Sequence, residues 1–66
     1  MSILVLKNDI YSQDNIKKAI YVYRDYATIS VTNNKTSTDL EFKNCKYDLD
    51  LTKKEFENYL IALENS

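Results

Sequence analysis

The first apolar run of the chain, Ile3 to Leu6, is short and ends at the turn-forming pair Asn8-Asp9. A run of branched residues of this length is typical of a β-strand. Its lack of alternation indicates a strand that is covered on both faces, or one whose outer face is covered by another chain. We predict the first strand here.

A helix is predicted to begin at Ser12. The Ser12 hydroxyl can accept hydrogen bonds from the first-turn amides, and Asp14 complements the helix dipole. Tyr11 can pack onto Ile16 as a hydrophobic staple. One apolar face then follows at helical spacing. Its members are Ile16, Ala19, Ile20, Tyr23 and Ala27, with Val22 and Tyr26 on the flank.

A hairpin is predicted from the alternation of apolar and polar residues on both sides of a polar turn between Asn33 and Thr38. The alternating apolar positions are Ile29, Val31, Leu40 and Phe42. Because the chain has no glycine and no proline, every turn must be made by Asn, Asp, Ser or Thr, and asparagine can take the left-handed conformation that glycine usually supplies. The polar outer positions indicate a sheet that is covered on one side.

After Asn44 the apolar residues change from even to odd positions, which indicates a bend or bulge there. The strand either bends or restarts as a short fourth strand near Tyr47. Thr52 and Glu55 then form a T-x-x-E capping box, and Leu51 can staple to Phe56. A second helix is therefore predicted from about Lys53 to the end, with an apolar stripe. The stripe consists of Phe56, Tyr59, Leu60 and Leu63.

Together these elements predict a single α+β domain spanning residues 1–66. The order is β-α-β-β-α, with a three-stranded sheet, or a four-stranded one, and two helices packed on one face. A chain of 66 residues buries only about 60% of its unfolded surface, so its stability is marginal and a partner surface would help.

The composition argues against several classes of function. One cysteine and no histidine predict no disulfide and no ordinary zinc site. We expect no cofactor or metal. A net charge of -1 gives no basic surface that would bind the phosphate backbone of a nucleic acid. The N-terminus resembles neither a signal peptide nor a membrane span, so we expect a cytoplasmic protein.

Catalysis is not expected either. The carboxylate pairs Asp48/Asp50 and Glu55/Glu57 are typical of solvated faces. Cys45 has no histidine to act as its base, so it is interpreted as a small side chain that fills space at the core. We predict that the protein is not an enzyme.

Two groups of residues are candidates for partner binding. Tyr21 lies off the apolar face of the first helix, between Lys17 and Arg24, and Ile61 lies outside the main stripe of the second helix. The other candidate is an exposed sheet edge that an extended peptide could join. We predict that edge in the third strand, at Leu40, Glu41, Phe42, Lys43 and Asn44, with the first strand as the alternative.

Two segments resemble the small HxsD-like proteins of His-Xaa-Ser systems. "IYSQDNIKKAIYVYRDYATISV" resembles their opening cap, helix and strand, and "EFENYLIALEN" resembles their closing helix. The matching positions are Tyr11, Ser12, Ile16, Ala19, Tyr23, Phe56, Asn58 and Leu60. Ile61-Ala62 departs from the family's Leu-Asp, which leaves the role of the tail open.

The resemblance implies a helper of a radical SAM enzyme that modifies a ribosomally made peptide, binding the maturase, the precursor peptide or both. The iron-sulfur chemistry would then belong to the enzyme. Two alternatives remain open: a phage-type inhibitor or regulatory protein that acts by protein-protein interaction, and a homodimer whose strands pair edge to edge.

Overall fold

The computed structural model describes residues 2–66, and within them it contains three strands and two helices. The elements are β1 (Ile3–Lys7), α1 (Gln13–Val22), β2 (Thr28–Asn33), β3 (Ser37–Lys43) and α2 (Leu49–Glu64). This order confirms the predicted β-α-β-β-α arrangement and the α+β class. No fourth strand forms around Tyr47, where the described chain is irregular.

The three strands form one antiparallel sheet in the order β1-β3-β2. The predicted hairpin is confirmed, because β2 pairs with β3 from Thr28↔Lys43 to Asn33↔Thr38. β1 pairs with the other side of β3, with Val5 opposite Asp39. The prediction that Leu40 to Asn44 form an edge is therefore wrong. β3 is the central strand, and its backbone groups bond to both neighbours.

Both helices contribute to one hydrophobic core on one face of the sheet. The buried apolar residues are Leu6, Ile16, Ala19, Ala27, Leu40, Phe42, Phe56 and Leu60. Leu4 and Leu6 of β1 belong to this side, but Ile3 and Val5 on the other face remain 45% and 58% exposed. Within this chain, β1 is thus covered on one face only.

Helix α1 begins as predicted and ends earlier than its apolar stripe suggested. The Ser12 hydroxyl accepts a hydrogen bond from the Asn15 N–H at 3.2 Å, as expected of an N-cap. The helix ends at Val22, and residues 23–26 form turns that lead into β2. Ala27 is nevertheless buried, because this turn keeps it against the core.

Helix α2 begins four residues earlier than predicted. Asp48 is its N-cap and accepts a hydrogen bond from the Leu51 N–H at 2.9 Å. Thr52 lies inside the first turn, where its hydroxyl donates to the Asp48 carbonyl at 2.8 Å. The predicted capping box at Thr52 and Glu55 is therefore wrong, since an acidic N-cap with an equally good position precedes it.

The bend predicted near Asn44 is confirmed. Asn44 has a φ of 53° and is the one non-glycine residue with positive φ in the described chain. Asparagine tolerates this left-handed conformation better than most other residues. The bend redirects the chain from β3 toward α2 and places Cys45, which is half-buried and free, against the core as predicted.

The C-terminal end of α2 is tied to the start of α1 through Glu64. Its carboxylate accepts hydrogen bonds from the Asn15 side chain at 2.9 Å and from the Ser12 N–H at 2.8 Å. The Ser12 hydroxyl donates to the same oxygen at 3.2 Å. These donors, with Asn15 the strongest, hold the pKa of Glu64 below its ordinary value of 4.5.

We expect Glu64→Gln to lower stability at pH 7 and to have a smaller effect at low pH. A carboxyl whose pKa is depressed on folding contributes all its stabilisation above the unfolded pKa. That contribution is lost as pH falls below 4.5 and through the folded value. Urea midpoints of both proteins at pH 7 and pH 3 test this. If the difference between the two urea midpoints were the same at both pH values, the role of this charge would be contradicted.

Candidate functional site: an open strand edge and a tyrosine-lined groove

β1 leaves one row of backbone groups without partners in the sheet. Phe42 N–H bonds to the Ser2 carbonyl at 3.1 Å, and Asn8 N–H bonds to the Thr36 carbonyl at 3.0 Å. Bonded pairs alternate along an antiparallel ladder, so the even-numbered residues of β1 bond to β3. The N–H and C=O groups of Ile3, Val5 and Lys7 therefore point away from the sheet, along an open edge.

The outer face of β1, beside this edge, carries apolar side chains that nothing in the described part of the chain covers. Ile3 and Val5 are exposed there, although polar residues cover most of the same face on β2 and β3. Asp39, opposite Val5, has a buried carboxylate oxygen, Oδ1, without a hydrogen-bond partner, and it is the one such side-chain atom in residues 2–66. An unmet acceptor of this kind costs about 1–3 kcal/mol.

A shallow depression lies where β1 meets the hairpin turn. Its volume is about 620 Å³, and Val5, Lys7 and Lys35 contribute to its wall together with Asp9. The depression thus combines an apolar side chain with two cations and one anion. It continues the outer surface of β1 toward Lys7, in line with the open edge.

The other edge of the sheet, in β2, has a different character. Asn34 N–H bonds to the Ser37 carbonyl at 2.8 Å, so by the same alternation the outward backbone groups are those of Ile29, Val31 and Asn33. On the outer face β2 carries Thr28, Ser30 and Thr32. This edge has the same free backbone geometry but lacks the apolar outer face of β1.

A groove of about 440 Å³ lies at the opposite end of the sheet from the hairpin turn. Four tyrosines line it, and they come from the turn after α1, the loop before α2, and α2 itself. The tyrosines are Tyr23, Tyr26, Tyr47 and Tyr59, accompanied by Val22, Thr52 and Glu55. The rings form a chain in which Tyr23 lies 5.7 Å from Tyr26 and 6.0 Å from Tyr59, and Tyr47 lies 6.0 Å from Tyr26.

Glu55 is the one charged residue in the wall of this groove. Burial, and after it the charge of Glu55, raises the pKa of the Tyr23 phenol above 10.0. The ion pair between Lys43 and Glu41 is the one salt bridge within the described residues, so Glu55 has no cationic partner there. The groove therefore combines aromatic faces with an uncompensated carboxylate.

The residues predicted as a helical partner surface are all exposed. Tyr21 is 64% exposed, and the Arg24 guanidinium lies 3.8 Å from its ring centroid while donating to the Tyr21 carbonyl at 2.7 Å. Lys17 lies on the same helix, whereas Ile61 lies on α2 and is 41% exposed. Tyr21 thus already has a local stacking partner, and its binding role stays a prediction.

Sequence reasoning missed Tyr47, Tyr59 and Glu55 as members of one site. Tyr59 was interpreted as a core residue, and Tyr47 as part of an extended segment. The abundance of tyrosine, six in the chain, was the signal that could have indicated an aromatic site. Their convergence depends on the bend at Asn44, which brings Tyr47 beside Tyr26.

The described residues contain neither a cluster of three or more His, Cys, Asp or Glu side chains that could hold a metal ion nor a helix long and apolar enough to span a membrane. In the described part of the chain, the fold and site define a small α+β domain with an open apolar strand edge and an aromatic groove.

Residues 6–64 match the family model described as His-Xaa-Ser system protein HxsD, so the chain belongs to this family. The match spans nearly the whole sequence and confirms the resemblance inferred from two segments, residues 10–31 and 55–65. Neither a curated protein nor a solved structure gives a significant match.

Proposed function

We propose that this protein is a non-catalytic accessory protein that binds a precursor peptide in the cytoplasm and brings it to a radical SAM maturase. Membership of the HxsD family supports a role in a His-Xaa-Ser system. Of the functions that the sequence left open, this membership favours the accessory role. The peptide-binding part of the proposal is carried by one observation, the open edge of β1.

The open edge suits β-augmentation, in which an extended peptide adds one strand to a sheet. The outward N–H and C=O groups of Ile3, Val5 and Lys7 would form the new ladder. Such backbone hydrogen bonds give affinity without regard to peptide sequence. Side chains that contact the flanking surfaces then select the peptide and its register.

The flanking surface favours a peptide that carries both apolar residues and an acidic residue. A peptide strand beside β1 would place alternate side chains next to Ile3 and Val5, which are now exposed to solvent. Farther along, Lys7 and Lys35 in the depression would attract a carboxylate.

We expect the full chain to bind the precursor peptide with a saturable, one-to-one isotherm. The probe is a fluorescently labelled synthetic copy of a candidate precursor peptide, and fluorescence anisotropy measures its affinity. A peptide with the same composition in scrambled order is the control and should bind more weakly. Equal binding of the two peptides would contradict the proposal.

The same edge could pair with a second copy of this chain, and light scattering distinguishes that outcome. A monomeric mass over the concentrations used for binding supports the peptide as the ligand. A stable dimer that Val5→Pro converts to monomer would instead assign the edge to a homodimer and would overturn the proposal.

A further inference from the structure

We propose that the tyrosine-lined groove is a binding site for an arginine side chain carried by a polypeptide partner. This inference goes beyond the proposed function and does not depend on the edge of β1. Its basis is the combination of four aromatic rings, one unpaired carboxylate and a volume of about 440 Å³.

Aromatic rings attract cations because the face of each ring carries negative charge. Four tilted rings at successive centroid distances of 5.7 to 6.0 Å present several faces and edges to one cavity. Tyr47 is 59% exposed and Tyr26 is 41% exposed, so their rings remain accessible from solvent. The cavity is thus a preformed aromatic surface rather than part of the closed core.

Glu55 makes the groove selective for a cation over a neutral side chain. It is the one acidic residue in the wall, which holds no basic residue, and no cation of the described chain pairs with it. Lys46 contacts a ring of the groove, with its Nζ 5.7 Å from the Tyr47 centroid, but it makes no ion pair with Glu55. An incoming cation would meet both ring faces and a free carboxylate.

Arginine fits this combination better than lysine. A guanidinium is planar, stacks on aromatic rings and can donate two parallel hydrogen bonds to one carboxylate. An ammonium is more strongly hydrated and cannot stack in this way. The same protein already stacks Arg24 on Tyr21 at 3.8 Å, whereas Lys46 stays 5.7 Å from the centroid of its ring.

The test uses three short probes: acetyl-Gly-Arg-Gly-amide and its analogues with lysine or citrulline in place of arginine. Citrulline keeps the shape of arginine and removes its charge. Titration of isotope-labelled full chain should give saturable shifts of the ring signals of Tyr23, Tyr26, Tyr47 and Tyr59 with the arginine probe. Citrulline should bind about tenfold more weakly, and lysine should fall between them.

Matched variants test whether the arginine probe binds in the groove or elsewhere on the surface. Glu55→Gln and Tyr47→Ala should each weaken the arginine probe by about tenfold. Glu57→Gln, on the same helix, and Tyr21→Ala, an exposed tyrosine outside the groove, should leave it unchanged. Tyr47 is 59% exposed, so its loss should not unfold the protein, and the amide spectrum checks this.

Equal affinity for arginine and citrulline would overturn the inference, and so would shifts confined to Tyr21 or the absence of saturable shifts. The probes are too short to form a ladder with β1. Their failure therefore leaves the proposed precursor-peptide site intact, and failure of the precursor to bind leaves the groove result intact.

Discussion

Phe56→Ala should remove a large part of the chain's stability and lower its urea midpoint strongly. Phe56 is fully buried in α2, and its ring contacts Tyr23 at a centroid distance of 5.4 Å and Phe42 at 5.3 Å. It therefore joins the second helix to both the sheet and the turn after the first helix. Truncation of a buried phenylalanine costs about 3–5 kcal/mol.

That loss is large for a protein of this size. At about 0.05–0.15 kcal/mol per residue, a chain of 66 residues has a total stability of roughly 3–10 kcal/mol. Urea unfolding followed by circular dichroism measures the change. Leu51→Ala is the control, because Leu51 is on the same helix but 53% exposed. A Phe56→Ala protein with a midpoint close to that of the control would contradict this account of the core.

Val5→Pro should weaken binding of the precursor peptide by about tenfold or more. The Val5 N–H points to the open edge, so proline removes a donor of the new ladder without removing a hydrogen bond to β3. The proline ring also obstructs the approach of a neighbouring strand. Fluorescence anisotropy with the labelled precursor measures the change.

The matched control is Val31→Pro, which makes the same chemical change on the other edge. The Val31 N–H points away from β3 on the far side of the sheet, and its side chain is 45% exposed. We expect peptide affinity to be unchanged in this variant. Val5→Ala, which keeps the N–H, should retain most of the affinity. If Val31→Pro weakened binding as much as Val5→Pro, the effect would not belong to β1.

Most helices and strands could be predicted from the sequence, because their ends are set by interactions between residues that are close together in the chain. Ser12 as an N-cap, the hairpin around Asn34 and the bend at Asn44 all follow from side chains that act on their own backbone. The start of α2 was predicted wrongly, because only Thr52 was considered as its N-cap. Asp48 and Thr52 both offer an N-cap, and burial of Thr52 in the folded chain favours the earlier one.

The position of β1 in the sheet could not be predicted from alternation. Leu40 and Phe42 alternate with polar residues whether β3 is central or at an edge, because only one face of the sheet is covered in either case. The choice depends on long-range pairing of residues such as Val5 and Asp39. An error in strand order therefore placed the first-choice peptide site on β3 and left the first strand as the alternative.

The groove could not be predicted from helical periodicity either. Tyr23 and Tyr26 follow one helix, whereas Tyr47 and Tyr59 lie in a loop and in the other helix. Each was assigned to its own element, and only the fold brings the four rings together. Part of the unusual tyrosine content is thus explained by a shared cavity, in addition to the core.

The most direct test of the central claim is an amide spectrum of the isotope-labelled full chain, recorded alone and with the precursor peptide. Addition of a strand to β1 predicts large shifts of the Ile3, Val5 and Lys7 amides, because these N–H groups gain hydrogen-bond partners. Shifts confined to β2, or a well-dispersed spectrum that the peptide leaves unchanged, would contradict the claim.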